Sequence, residues 1–398
     1  MRYLKDIEIK GKKALVRVDY NVPLDGTRVT DDTRIRESLP TLRHVLDGGG
    51  AVVLCCHLGQ PKGEKKPEFS LAPVAAHLAG LLGVSVPLAG DCVGPEVKAA
   101  IAALGAGEVL MLENLRFHKA ETSKDPAERA AFAKELMAGL DLYVSDAFGV
   151  AHRPNASVTE APAAAPMACA GFLMEKEWEY LGGALSNPKR PFVAVSGGSK
   201  VSSKLGILKN LLGKVDHLII GGAMANTFRL AQGIDMGASL VERDLLDEAK
   251  AILDAAADQH THIHLPVDFV LAREFKADKA EVASHTGEIP AGLMALDIGP
   301  KSVEAFGYTL KGAGTVVWNG PMGAFENPAF AAGSIGLAKA IVACGALSIV
   351  GGGDTDAVVH AAGLGDKFSF ISTGGGSFLE FLEGKELPGF KALEDAAK

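Results

Sequence analysis

The sequence predicts an α/β protein built as two halves, each a parallel β-sheet covered by helices on both faces, joined by a hinge helix. Three observations predict it. Short β-branched runs alternate with Ala/Leu-rich helical stretches along all 398 residues, the pattern of parallel sheets buried on both sides. Nearly every strand candidate runs straight into a glycine-rich or polar cluster, where open α/β sheets bind ligands. And the chain is longer than one core usually serves, so two domains, both Rossmann-like, are expected.

In the first half the strand candidates are "KALVRVDYNV", "AVVLCCHL", "GEVLMLEN" and "LYVSDAF". A Pro/Ala-rich stretch, "TEAPAAAPMACAG", closes it near residue 172. "FLMEKEWEYLGGALSNPKRP" then reads as one helix over 173–187, with Gly182-Gly183 as its stop signal and Pro188 and Pro191 beyond. The second half, 188–384, offers "PFVAVSGG", "DHLIIGG", "GTVVWNG", "LSIVGG" and "FSFIST".

The halves differ in chemistry. Nine of 13 arginines precede residue 160, whereas 31 of 47 glycines follow residue 180. Arginine forks suit a small ligand carrying phosphate and carboxylate; glycine-rich backbone suits the phosphates of a nucleotide. Two facing sites, one per domain, are therefore expected; compositional drift is the alternative.

Net charge is −8, which argues against a nucleic-acid surface. Cys55, Cys56, Cys92, Cys169 and Cys344 are scattered with no CxxC, so neither a zinc ribbon nor a disulfide framework is expected. "MRYLKDIEIK" carries no apolar leader core and no stretch reads as a membrane span, so a cytoplasmic location is expected. Monomer is the default expectation, with no nucleic-acid or membrane partner.

Several motifs carry chemistry. Gly351-Gly352-Gly353 before Asp354 and Thr355, and Gly374-Gly375-Gly376 before Ser377, each end an apolar run and open a helix. Glycine lets backbone amides approach a ligand, and a helix start leaves N–H groups unpaired at the positive dipole end. Two such triplets point to a polyphosphate; ordinary tight strand-to-helix turns are the alternative. Gly197 and Gly198 follow another strand, and Lys200 and Lys204 are expected four apart on one helix face. Neither GxxxxGK[ST] nor GxGxxG occurs, which removes a Walker A loop and weakens a nicotinamide dehydrogenase. "VVWNGPMGAFENP" places Asn319, Pro321 and Glu326 on a loop suited to a base and ribose.

In the first half, Asp19 and Asn21 sit two apart at a strand end, on the same side of an extended chain. Arg34 lies in the first turns of a helix starting near Asp32, where a cation opposes the dipole. His57, Arg116, His152 and Arg153 each follow a strand. In "HTHIHLP", His260, His262 and His264 alternate and would share one strand face; an exposed face is the simpler reading, since no carboxylate or cysteine completes a metal set.

Ten segments in order, "VRVDYNVP", "HLG", "LENLRFH", "DAFGVAHR", "GGSKVSSK", "IIGGAM", "LDIGPKS", "VWNGPMGAFE", "GGGDT" and "STGGGSFLEFLEGKELPG", resemble the phosphoglycerate kinase family over essentially the whole chain. The resemblance implies reversible phosphoryl transfer between 1,3-bisphosphoglycerate and ADP, giving 3-phosphoglycerate and ATP in glycolysis, with Mg²⁺ and domain closure. It implies that Asp19, Asn21, Arg34, His57, Gln60, Arg116 and Arg153 bind 3-phosphoglycerate. Gly197, Gly198, Lys204, Gly221, Gly222, Asn319, Pro321, Glu326 and Gly352 to Thr355 (Gly352, Gly353, Asp354, Thr355) would bind nucleotide, with Asp354 on the Mg²⁺. Arg34, Lys200, Lys204, Gly374, Gly375 and Gly376 would surround the phosphoryl group in flight. Residues 385–398 would pack back on the N-terminal domain.

The chain departs from the family pattern at Gln60, where arginine is usual, at Ser199 and Ala295, where glycine-like small residues are usual, and at Asn155, where a second histidine is common. Those departures keep a second class in view, a non-catalytic nucleotide- or sugar-phosphate-binding protein on the same fold.

Overall fold

The computed structural model describes residues 1–398. The chain divides into two compact units: Met1–Glu179 with Glu386–Lys398, and Tyr180–Lys385.

The first unit holds five parallel strands: β1 Lys13–Val18, β2 Ala51–Cys55, β3 Val109–Met111, β4 Leu142–Asp146 and β5 Ala168–Ala170. Their spatial order is β3-β2-β1-β4-β5. The strands are short apolar runs and are buried almost throughout, because helices cover the sheet. The order reverses between β1 and β4, so those two strand ends flank a crevice. The C-terminal helix Pro388–Asp395 packs in this unit, with Phe390 against Phe148 and Trp178 at centroid distances of 6.0 and 4.8 Å.

The second unit contains β6 Phe192–Ser196, β7 His217–Ile220, β8 His262–His264, β9 Phe269–Ala272, β10 Val282–His285, β11 Met294–Ile298, β12 Thr315–Asn319, β13 Leu347–Gly351 and β14 Phe370–Ser372. Its main sheet is parallel, in the order β8-β7-β6-β12-β13-β14. Numbered within the unit, this is the 3-2-1-4-5-6 order of dinucleotide-binding folds, with its switch point between β6 and β12.

The structure corrects the sequence reading in three places. Between β8 and β12 lies an antiparallel sheet, β10-β9-β11, where only parallel strands were expected. Its strands are short, and charged or glycine-containing loops break the alternation that would reveal them. The helix Phe172–Ser186 continues through Gly182-Gly183 and stops before Pro188. A helical glycine costs about 1 kcal/mol, whereas proline restricts the residue before it, so the proline sets the end. Finally, Lys200 and Lys204 do not share a helix face. Val201–Ser203 form a bend and turn, and the helix begins at Leu205 with Lys204 as its N-cap.

Candidate functional site

In the first unit the reversal point gathers cations. Asp19 directly follows β1, and Arg34 donates to its Oδ2 at 2.8 Å. The other carboxylate oxygen lies 3.8 Å from His57 Nδ1. Arg34 sits in the first turn of helix Thr33–Asp47, and its pairing with Asp19 offsets the dipole penalty. Asn21 Oδ1 accepts from Gly59 N at 2.9 Å, and Arg116 Nη1 donates to Gly59 O at 2.8 Å, so the turn after β2 is held from both sides. Arg153 lies beside His152, with Nε and Nε2 3.2 Å apart. Gln60 is exposed next to this turn.

The electrostatics show how crowded the cations are. Burial holds the His57 imidazole well below its usual range, reinforced by Arg17, Arg116, Arg153 and Arg34. Burial, with Arg153 and Arg17, brings Arg116 down to about 10, and His152 is brought to about 4 by burial and Arg153. Both histidines are therefore neutral at neutral pH, while Arg116 keeps its charge. Arg116 Nε is buried with no hydrogen-bond partner, a vacancy suited to an anion.

Sequence reasoning missed one member, Arg17. It lies within β1, fully buried, and its Nε donates to Ser157 Oγ at 3.2 Å. Ser157 in turn donates to both oxygens of buried Glu121, at 2.7 and 3.0 Å. A single arginine between valines in "VRV" was the available signal, since a buried charge demands such a network.

In the second unit, Ser196 and Asn319 are register partners at the ends of β6 and β12. Ser196 Oγ and Asn319 Oδ1 are buried without partners at this switch point. Above them opens a cavity of about 260 Å³ lined by Gly198, Gly222 and Pro321, by the acids Asp297, Glu326 and Asp354, and by Phe269, Met294 and Leu296 among other apolar residues. Ser199 and Ala295, two of the departures, line it as well. The apolar walls escaped sequence reading because they come from the antiparallel insertion. Asp297 also escaped it; burial raises its carboxyl to about 7 against donation from the Gly333 and Ile298 amides.

The other residues expected in this unit are not part of the cavity lining. Lys204 is buried, and desolvation lowers its ammonium to about 8 while Asp354 and Glu383 oppose the shift. Asn319 Nδ2 donates to Gly351 O at 2.6 Å and Thr355 Oγ1 accepts from Gly320 N at 2.7 Å. These two side chains brace strand ends. A Cβ on Gly197 would meet Pro321 O at 2.1 Å, and one on Gly221 would meet Met322 Sδ at 2.2 Å. Helices begin at Gly222, Gly353 and Gly375, with Gly352 and Gly374 as the preceding caps and Gly376 in the last helix's first turn. Lys200 is exposed on the loop before Lys204, which Glu242 grips through the amide and hydroxyl of Ser202 at 3.1 and 2.6 Å.

Two clusters fall outside these sites. Asp91, Cys92 and His118 meet in the first unit, with ligand-type atoms within 4.8 Å of one another. The "HTHIHLP" histidines are rearranged relative to expectation: His260 is in a turn with φ 57, and only His262 and His264 lie on β8. Their neighbour on β7 is His217. Burial lowers His217, and burial with the His217 ring brings His264 to about 4.

Comparison with known proteins identifies the family. The family profile described as "Phosphoglycerate kinase" matches residues 4–385. The chain belongs to the phosphoglycerate kinase family. It is 56% identical over 396 residues to the phosphoglycerate kinase of Maridesulfovibrio salexigens, covering 99% of this chain and 100% of that protein. It is 53% identical over 395 residues to that of Desulfotalea psychrophila, at 99% and 100% coverage. The structure of phosphoglycerate kinase from Coxiella burnetii superposes with a TM-score of 0.91 at 40% identity, covering 100% of this chain and 99% of that one. The activity that goes with phosphoglycerate kinase membership is phosphoryl transfer to and from a carboxyl group in glycolysis. No helix is long and apolar enough to cross a membrane.

Proposed function

We propose that the first unit binds 3-phosphoglycerate through Asp19, Asn21, Arg34, His57, Arg116 and Arg153, and that the second binds ADP or ATP at the β6/β12 switch point. The observation that carries this reading is the pairing of two crevices of opposite make. One holds arginines around neutral histidines; the other is lined by glycine backbone and apolar walls, with buried Lys204 in the same unit. Gly353 and Gly375 support a phosphate cradle, because no atom lies within 4 Å of where a Cβ would stand on either. Their amides at helix starts are open to an anion.

The acceptor is a carboxylate, ionised above a pH of about 4, so the transfer needs no general base. A neutral His57 beside Asp19 suits binding to a hydroxyl or phosphate oxygen through a hydrogen bond, without removing a proton. Catalysis is then positioning and charge stabilisation: Lys200, Lys204, Arg34 and the amides of Gly374, Gly375 and Gly376 would neutralise the three oxygens of the moving group. Asp354, an exposed carboxylate on the cavity wall, fits the Mg²⁺ that enters with the nucleotide, an ion preferring carboxylate and phosphate oxygens. Bound Mg²⁺ supplies charge neutralisation between the phosphates. The acyl phosphate must be kept from water, so the two units would close about helix Phe172–Ser186. The protein would work as a cytoplasmic monomer.

The test is Mg²⁺-dependent turnover of ATP with 3-phosphoglycerate, coupled to reduction of the acyl-phosphate product. Robust turnover is expected. Folded protein that binds Mg-ADP yet shows no turnover at saturating substrate would instead establish the non-catalytic binding class.

A further inference from the structure

Three histidines converge on the edge of the second unit's main sheet. His217 opens β7, and His262 is its register partner on β8, the edge strand. His264, two residues along, shares a face with His262. The rings of His217 and His264 have centroids 5.1 Å apart, and those of His217 and His262 5.4 Å apart. His217 Nδ1 and His264 Nε2 are separated by 3.1 Å.

These spacings are those of imidazoles around one tetrahedral ion. With Zn–N bonds of about 2.0–2.1 Å, two ligating nitrogens lie about 3.3 Å apart and their ring centroids about 5.2 Å apart. The tautomer is also favourable. Thr309 Oγ1 donates to Ala305 O at 3.3 Å, which leaves its lone pair to accept from His264 Nδ1 at 3.4 Å. His264 then carries its proton on Nδ1 and directs the Nε2 lone pair at His217, with Thr309 orienting the ring as outer partners of metal-bound histidines do. His262 is exposed, with its ring centroid 5.4 Å from that of His217, so a side-chain rotation would be needed to bring in the third nitrogen.

We propose that His217, His264 and His262 form a binding site for a borderline divalent transition-metal ion, zinc by its geometry, that clamps edge strand β8 to β7. All-imidazole ligation selects such ions over Mg²⁺, so the site would stay distinct from the Mg²⁺ that accompanies nucleotide. A water molecule completes the tetrahedron. The gain is mechanical: β8 is three residues long and paired on one side only, and an ion shared with β7 would hold it.

Zn²⁺ titrated into the full-length protein in excess Mg²⁺, followed by calorimetry and by thermal midpoint, tests this. One saturable site per chain and a rising midpoint are expected. His217→Ala and His264→Ala should each weaken binding by about tenfold or more. Exposed His262→Ala should weaken it without disturbing the unliganded fold. His260→Ala, outside the cluster, and Cys92→Ser, in the Asp91/Cys92/His118 group, should leave it unchanged. Tetrahedral absorption of bound Co²⁺ would support the geometry. Absence of saturable binding, or binding undiminished in His217→Ala and His264→Ala, or binding lost in Cys92→Ser, would overturn the proposal and leave a hydrogen-bonded histidine pair.

Discussion

The two units share a strand order and place their crevices at the same reversal of that order, yet they furnish them from different chemistry. The first uses side chains. Arg17, Arg34, Arg116 and Arg153 crowd one strand-end region, and burial, reinforced by their repulsion, depresses His57 and, at Arg116, even a guanidinium. The second uses main chain. Gly198, Gly222 and Pro321 form a floor that side chains would fill, and the antiparallel insertion adds apolar walls. The contrast matches the ligands proposed for the two units. A small polyanion offers little besides charge, so recognition must come from arginine forks. A larger ligand with an apolar ring and a phosphate tail is served by hydrophobic surface and close backbone amides.

The comparison can be broken first at Lys200. If the second unit relied on backbone alone, Lys200→Ala would be silent. We expect it to lower kcat about 10²–10³-fold, or roughly 2.7–4 kcal/mol, as for other transition-state donors, with both KM values little changed; steady-state kinetics decide.

Next in size is a glycine pair. Gly222 has φ +65, and its Cβ would meet Gly198 O at 2.5 Å and N at 2.6 Å. Gly222→Ala should cost about 3 kcal/mol through strain and overpacking. Gly353→Ala meets nothing within 4 Å and should stay within about 0.5 kcal/mol of wild type. Denaturant midpoints measure both. Weakened Mg-ADP affinity in Gly353→Ala at unchanged stability would mark that glycine as a ligand cradle; unchanged affinity would make it a plain turn.

A third test uses pH. Lys204 is charged below about 8 and loses its proton as pH rises through that value. kcat/KM for nucleotide should therefore fall above pH 8, by up to about tenfold per unit. Lys204→Arg, charged throughout, should flatten that limb. A limb that survives in the arginine variant would assign it elsewhere.

The smallest effect is expected at Gln60. It is exposed beside the turn that Arg116 holds, so Gln60→Arg would add a solvent-screened charge, worth about 1 kcal/mol or less. 3-Phosphoglycerate binding should tighten a few-fold while nucleotide binding is unchanged. Equal tightening of both would mean a general charge effect.

All nine strands expected from apolar runs are present, because a strand buried on both faces announces itself locally. The strand-end positions of Asp19, His57, Arg116 and Asn319 were legible for the same reason. The antiparallel sheet was not: Val282–His285 is half-exposed and carries no apolar signature, and nothing local in the buried runs Phe269–Ala272 and Met294–Ile298 sets their antiparallel pairing. Phe269, Met294 and Leu296 became cavity walls only through that insertion. Arg17 was visible as an anomaly, but its partners Ser157 and Glu121 lie 140 and 104 positions away in number, beyond any local pattern.

By itself the sequence determined nine of the buried parallel strands, the glycine clusters at their ends, and which half would carry the arginines. These are consequences of local polarity and backbone sterics. Tertiary structure alone decided that Lys204 is buried and shifted while Lys200 is exposed, that Thr355 and Asn319 brace strand ends, and that His217 joins His262 and His264. Each depends on strand order and on desolvation by distant residues, and those are properties of three-dimensional packing.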